Sequence, residues 1–278
     1  MIRWEIFLLW AAVGLYAASA AAYVASLCFH RDGWSDWATR LAAVALAPHT
    51  LSLLLRWLEA GHGPYLRRYE VYSSDVWVGV GMFLLAQRWR PSLRGFGAVV
   101  MPTSFLLIGM AVMSSPEIRI MPASFRTYWL LVHILFAKLA YGANLIATTG
   151  AVFYLLKKRR AERGLPIHGL LAKVPDLAAL DELSYAFSGF GFLMIGIMIL
   201  AGSIWAKNAW GSYWNWDAVE TWALISWFVY GIYLHLRRTY GWKGSMAAWM
   251  NIVALGFLLF ALFGVGLFFD SAHSPYVG

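Results

Sequence analysis

A single cysteine, Cys28, occurs in 278 residues. One thiol cannot cycle between dithiol and disulfide within the chain, so an internal dithiol relay is excluded. No Cys/His cluster has zinc spacing, and neither a phosphate-cradling glycine loop nor a Gly-x-Ser-x-Gly nucleophile turn is present. Charge is scarce as well: 13% of residues are charged and 61% are hydrophobic, a balance far from that of a soluble domain. The short alternating segments that a transmembrane barrel requires are missing. Internal repeats and low-complexity segments are also lacking.

What the chain does have is long apolar runs. A helix needs ~20 such residues to cross a hydrocarbon core. Eight runs qualify, at about 4–29, 38–58, 72–88, 95–114, 127–156, 183–206, 220–237 and 246–269. The expected fold is all-α, a polytopic membrane helical bundle of about eight transmembrane helices forming one integral membrane domain over residues 1–278. The first run is too long for a signal-peptide core, and Arg3 is balanced by Glu5, so it reads as a retained span. The longest connection, 157–182, starts with Lys157 to Arg160 and is broken by Pro166 and Pro175. Leu170, Leu171, Val174, Leu177 and Leu180 within it suggest a helix lying in the membrane interface.

Orientation follows from lysine and arginine, which accumulate in cytoplasmic connections. With the first helix starting outside, the inner connections carry Arg31, Arg40, Arg88, Arg90, Arg94, Lys157, Lys158, Arg159, Arg160, Arg163, Lys173, Arg237, Arg238 and Lys243, 14 in all. The outer side has seven: Arg3, Arg56, Arg67, Arg68, Arg119, Arg126 and Lys207. Both termini are therefore expected outside. The net charge of +8 sits at membrane edges, where it acts as a topology signal and a lipid contact and gives no reason to invoke nucleic acid.

The stretch 205–227 is the most unusual in the chain. Trp205, Trp210, Trp214, Trp216, Trp222 and Trp227 crowd one turn between two apolar runs, with Asp217 and Glu220 among them. An interfacial aromatic belt needs neither fixed spacing nor an acidic pair. A loop that stacks on a large, flat, apolar partner needs rigid indoles and fixed geometry. The orientation above puts this loop outside.

Histidine placement points the same way. His133 lies about two turns into the fifth run from its outer end, and His235 lies near the inner end of the seventh. His273 follows the eighth, outside; His49 is in the middle of the second, and His62 follows it in an outer connection. An ionisable group inside a span is costly and is a functional candidate by default. A helix-to-helix hydrogen bond explains a lone buried histidine about as well as ligation does. Two imidazoles on opposite sides of an iron make a haem site, and His133 and His273 share the level of the Trp-rich loop.

The run Trp210-Gly211-x-Tyr213-Trp214-x-Trp216-Asp217-x-x-Glu220-Thr221-Trp222-Ala223-Leu224-Ile225-x-Trp227 closely resembles the WWD signature of the haem-handling proteins of cytochrome c biogenesis. Within that superfamily the chain most resembles the CcsA (ResC) family, the integral subunit of the System II synthetase. Arg56-Trp57, Gly61-His62-x-Pro64 and Tyr69-Glu70 are similar to that family's run after the second span. His133 with Tyr141, Tyr233-x-His235-x-Arg237, Gly241-Trp242-x-Gly244 and His273-Ser274-x-Tyr276 extend the similarity over roughly residues 45–276. The chain departs from the family pattern at Ala218-Val219, usually Pro-Lys, at Arg67-Arg68, usually Ser-Asn, and at Pro275, which splits a His-Ser-Tyr run. Glu220-Thr221-Trp222 differs from the Arg-Leu-Thr of the System I chaperone CcmC, and the ligase CcmF is far longer.

The resemblance implies that this chain binds haem b. His133 and His273 would ligate the outer iron from opposite faces, while Trp210, Trp214, Trp216, Asp217, Glu220 and Trp222 build the shelf. His235 would ligate haem within the membrane, opposite a residue of a CcsB (ResB) partner subunit, with His49 as the alternative from this chain. Apocytochrome c is the implied client, its Cys-x-x-Cys-His thiols kept reduced by relay proteins. The implied location is a bacterial cytoplasmic or thylakoid-type membrane. Other readings remain open: a haem-binding regulator of haem biosynthesis, a System I-like chaperone, or a transmembrane electron-transfer haem protein.

Overall fold

In the computed structural model, residues 4–29 and 33–269 are described. The described residues are all-helical. The long helices are α1 (Trp4–Phe29), α2 (Gly33–Ala60), α3 (Arg68–Trp89), α4 (Gly97–Met113), α5 (Tyr128–Glu162), α7 (Leu177–Trp210), α8 (Ala218–Thr239) and α9 (Ser245–Leu259). A short α6 (Leu170–Lys173) precedes α7, and α9 continues through a π turn into α10 (Val265–Phe268). These elements coincide with the eight apolar runs, lengthened at most ends. Six helical segments are long and apolar enough to cross a membrane; α3 and α8 are more polar.

The helices gather into two compact units, residues 1–119 with 155–180, and residues 120–154 with 181–278. In the first unit, α1 and α2 meet along two heptad seams. On α1 the buried positions include Glu5, Leu9, Ala12, Tyr16, Ser19, Tyr23 and Ser26. On α2 they are Ser35, Ala38, Ala42, Ala45, His49, Ser52 and Arg56. Alternating steps of three and four keep one stripe facing the partner, and the small residues let the backbones approach closely, as membrane helix pairs require. Polar side chains then bond across the seam. Ser19 Oγ donates to the Ala38 carbonyl at 2.7 Å and Ser52 Oγ to the Glu5 carbonyl at 2.7 Å.

At one end of this seam sits Arg56, 1% exposed. Its Nε donates to Glu70 at 2.9 Å and its Nη1 to Glu5 at 3.1 Å, tying α2 to α3 and α1. Further bonds reach the carbonyls of Pro116 (2.6 Å) and Glu117 (3.0 Å) in the segment after α4. The second oxygen of Glu70 accepts from the Leu66 N–H at 2.8 Å, holding the chain entering α3.

The connection 163–176 differs from expectation. Instead of one interfacial helix, it contains only the single turn α6; Gly169, at φ 60, precedes that turn, and Leu177 and Leu180 belong to α7. Pro175 lacks the N–H that would continue α6. Leu170, Leu171, Val174 and Leu180 are buried in the first unit, and a Cβ on Gly95 would meet Val174 and Leu170. The leucines therefore seal the bundle.

In the second unit the core joins four helices. Ala140 (α5), Ile195 and Met198 (α7), Tyr230 (α8), and Ala254 and Leu258 (α9) form one cluster. Asn251 ties the bundle together: its Oδ1 accepts from Thr148 at 2.7 Å, and its Nδ2 donates to Ser188 at 2.5 Å.

Removing Arg56 leaves two carboxylates buried without their cation, a loss of about 3–5 kcal/mol. Arg56→Ala is expected to lower the thermal unfolding midpoint in detergent sharply. Arg56→Lys is expected to restore little of it, since one ammonium cannot span four acceptors.

Candidate functional site

The Trp-rich turn is built by its two helix ends. Helix α7 stops at Trp210 because Gly211 adopts φ 80, a left-handed conformation that glycine takes without strain. Lys207 Nζ donates to the Gly211 carbonyl at 2.8 Å and covers the Tyr213 ring at 5.6 Å. Helix α8 then begins with a reciprocal cap. Asp217 Oδ1 accepts from the Val219 N–H at 2.9 Å, and Glu220 Oε2 accepts from Asp217 N–H at 3.3 Å and Asn215 N–H at 2.8 Å. The acidic pair thus satisfies backbone donors that a helix start leaves open. Between these anchors Trp216 sits at φ 56, the one non-glycine residue with positive φ among the described residues. Its indole is 70% exposed.

The six tryptophans take separate places. Trp205, Trp210 and Trp214 line a cleft in the second unit, together with His133, Met198, Ile199, Gly202, Ser203, Ala206, Val219, Glu220 and Ala223. The cleft holds about 400 Å³ of open space. Trp205 packs edge-on to Trp210 at 4.8 Å and to Phe125 at 5.0 Å. Trp222 leans on Phe260 at 4.4 Å and Phe257 at 6.2 Å, and Trp227 stacks on Phe192 at 4.8 Å. The loop region is therefore one part cleft wall and one part brace against Phe192 of α7 and Phe257 and Phe260 after α8.

His133 enters this cleft from α5. Its Nδ1 donates to the Met198 carbonyl at 2.8 Å. A carbonyl can only accept, so Nδ1 carries hydrogen and, in the neutral ring, Nε2 carries the lone pair. The ring lies directly against α7: a Cβ on Gly202 would come within 2.6 Å of Nδ1. Met198 and Gly202 position the His133 ring, and sequence reading missed them. Their signal was only that they lie on α7, one and two turns before Trp205.

The other histidines lie elsewhere. His49, fully buried on the α1–α2 seam, bonds Tyr16 Oη and Ser73 Oγ, each at 3.0 Å, through its two ring nitrogens. His62 bonds the carbonyls of Gly63 at 2.8 Å and Arg119 at 3.2 Å. His235 is on the exposed surface of α8, edge-on to Tyr240 at 5.9 Å, with Thr239 Oγ1 at 3.4 Å. His273 lies outside the described residues. The structure thus brings together His133, Trp210, Trp214 and Glu220 of the predicted set, while Trp216, Asp217 and Trp222 shape the loop beside the cleft.

A helical membrane protein with one aromatic cleft, walled by a capped tryptophan turn and a helix-borne imidazole, is the class this arrangement defines. The chain belongs to the cytochrome c assembly protein family, whose model matches residues 67–273. It is 32% identical over 252 residues to the cytochrome c biogenesis protein CcsA of Guillardia theta, with 82% of each chain covered. It is 35% identical over 235 residues to CcsA of Chlamydomonas reinhardtii, covering 81% of this chain and 64% of that one. CcsA of Synechococcus elongatus is 32% identical over 280 residues, with 84% and 86% covered. Among solved structures, the cytochrome c haem lyase CcmF matches with a TM-score of 0.74 at 16% identity. That match covers 99% of this chain and 48% of CcmF, a likeness of fold. The resemblance read from the WWD run is thereby established at the level of the family.

Asp217→Ala removes the cap at the start of α8, a loss of about 1 kcal/mol, and frees the loop 211–217. Faster proteolytic nicking within that loop is expected, with Asp217→Ser restoring most of the protection.

Proposed function

We propose that the cleft of the second unit holds haem b as a substrate and presents it for attachment to apocytochrome c. The observation that carries this reading is that His133 shares one cleft with Trp205, Trp210 and Trp214. The residues present suit the group. Nδ1–H donation to a backbone carbonyl is the outer contact that orients a metal-ligating histidine and raises its basicity. The wall is mainly aromatic and aliphatic with a few polar groups, the lining that ligand sites favour.

Haem supplies two vinyl groups, to which the thiols of a Cys-x-x-Cys-His peptide add to give thioethers. This chain contributes positioning. His133 would hold the iron, with His273 as its proposed second ligand. The indoles of Trp210 and Trp214, which line the cleft, would stack on the macrocycle, and Trp216, exposed beside them, would meet the incoming peptide. Asp217 and Glu220 keep the loop in register, so the reacting edge faces thiols in a fixed geometry. With only Cys28, the chain relies on separate thiol-reducing proteins.

His235, on the exposed surface of α8, would hold haem within the membrane, opposite a ligand from a CcsB/ResB-like partner subunit. His49 would have to give up a hydrogen bond to Tyr16 or Ser73 before it ligated anything, so we assign it to holding α1, α2 and α3 together. The excess of lysine and arginine on the assigned inner connections, 14 against seven, supports an outer location for the Trp-rich turn.

The protein is expected to co-purify with non-covalent haem b, read as a pyridine haemochrome. In a maturation assay His133→Ala is expected to abolish holocytochrome c formation, with added imidazole restoring part of it. Gly202→Ala, which drives a methyl into the His133 ring, is expected to reduce both haem content and maturation. A His133→Ala variant with full haem content and no imidazole response would show that His133 packs helices instead.

Cysteine substitutions at Ser212 and Ser245 in a Cys28→Ser background test sidedness. An impermeant thiol reagent is expected to label position 212 on intact cells and position 245 only after permeabilisation.

A further inference from the structure

The first unit contains a cleft of its own, with about 800 Å³ of open space. It lies between the end of α1, the last turns of α5 and the connection into α6. Two kinds of side chain line it. Leu27, Leu156, Leu165 and Leu171 form an aliphatic wall; Arg159, Arg160, Arg163 and His168 form a basic one. Neither an acidic nor an aromatic carbocyclic side chain is among the described lining residues. The three arginines have no ion pair among the described residues. Arg160 Nη1 donates to the Pro166 carbonyl at 3.1 Å, and it is Lys158 that approaches Glu162, at 3.7 Å. Three guanidinium groups gathered without a counter-charge repel one another, and an anion relieves that repulsion.

The length of α5 sets the depth of the cleft. Its 35 residues extend ~52 Å at ~1.5 Å per residue, well beyond a ~30 Å hydrocarbon core. His133 lies near one end of this helix and the arginines lie in its final turns, so a membrane crossed from the His133 end would have its far headgroup layer at the basic wall. Leu156, one turn earlier, lies on the hydrocarbon side of Arg159. Leu156 and the arginines therefore follow one another in the order of a lipid's own parts.

We propose that this cleft binds an anionic phospholipid. Its phosphate pairs with Arg159 and Arg163, and an acyl chain runs along Leu27, Leu156 and Leu171. Guanidinium groups suit phosphate because two parallel N–H bonds reach two oxygens. Basic pockets between transmembrane helices are a general means of holding such headgroups. A free inorganic phosphate gains nothing from four leucines. A flat macrocycle gains less from a flexible aliphatic wall than from aromatic rings.

The test uses the full chain in nanodiscs of phosphatidylcholine with or without phosphatidylglycerol, followed by native mass spectrometry after release into mild detergent. The wild-type protein is expected to retain phosphatidylglycerol. Arg159→Gln with Arg163→Gln is expected to weaken retention by about tenfold or more, with an unchanged unfolding midpoint in phosphatidylcholine alone. Arg88→Gln with Arg90→Gln removes equal charge at the end of α3 and is expected to leave retention intact. Equal loss in both pairs would reduce the effect to general surface attraction and overturn the proposal. Loss of haem, read as a pyridine haemochrome, with phosphatidylglycerol retained would assign the arginines to haem carboxylates and overturn it too. Displacement of the lipid by inorganic phosphate alone would do the same.

Discussion

Within hydrocarbon there is no water to take up a hydrogen bond, so every peptide group must find its partner inside the chain. That constraint leaves helices as the spanning elements here and sends polar side chains to two places. Some lie on the seams between helices, where they bond one another: Tyr16, His49 and Ser73 in the first unit, Thr148, Ser188 and Asn251 in the second. Others lie at helix ends, where the chain must close its own termini. The candidate site is of the second kind. Its acidic pair, its lysine and its left-handed glycine first of all finish α7 and start α8, and the cleft is formed by what those terminations hold in place.

This makes the tryptophan turn a composite. Three indoles face the cleft with His133, two lean on neighbouring aromatic rings, and one projects outward. A loop with the cleft indoles alone would have no support, because a turn without packed neighbours samples many conformations. Trp222 and Trp227 secure the start of α8, and the cap sets the direction in which the loop leaves it. The rigidity that a stacking surface needs is thus obtained from side chains that need never touch the ligand.

Helix existence was legible in the sequence because the hydrocarbon core demands about 20 apolar residues per span, and all eight runs became long helices. Their ends were less legible: α5 continues through Lys157 to Glu162, where composition turns charged but nothing stops the backbone. The connection before α7 was misread because five leucine-type residues look alike whether they face lipid or core, and Pro175 decided the matter locally. In the site, Asp217 and Glu220 were read from the sequence as part of the shelf, and the structure shows that they also cap α8. Met198 and Gly202 were not legible, since their role depends on which turn of α7 meets α5. His49 carries the converse lesson: its mid-span position fitted ligation and a helix-to-helix hydrogen bond equally, and only the positions of Tyr16 and Ser73 reveal that both ring nitrogens are hydrogen-bonded.

Trp216 has one further consequence. A bulky residue in the left-handed region costs about 1–2 kcal/mol relative to glycine, and its indole recovers little of that by burial, being 70% exposed. Folding alone would favour glycine or asparagine at this position. The residue is therefore a point of opposed demands, where a sequence optimised for stability would discard the side chain that the surface displays. Stabilised designs of this fold, if chosen by melting temperature, would drift toward a quieter backbone and a blank loop.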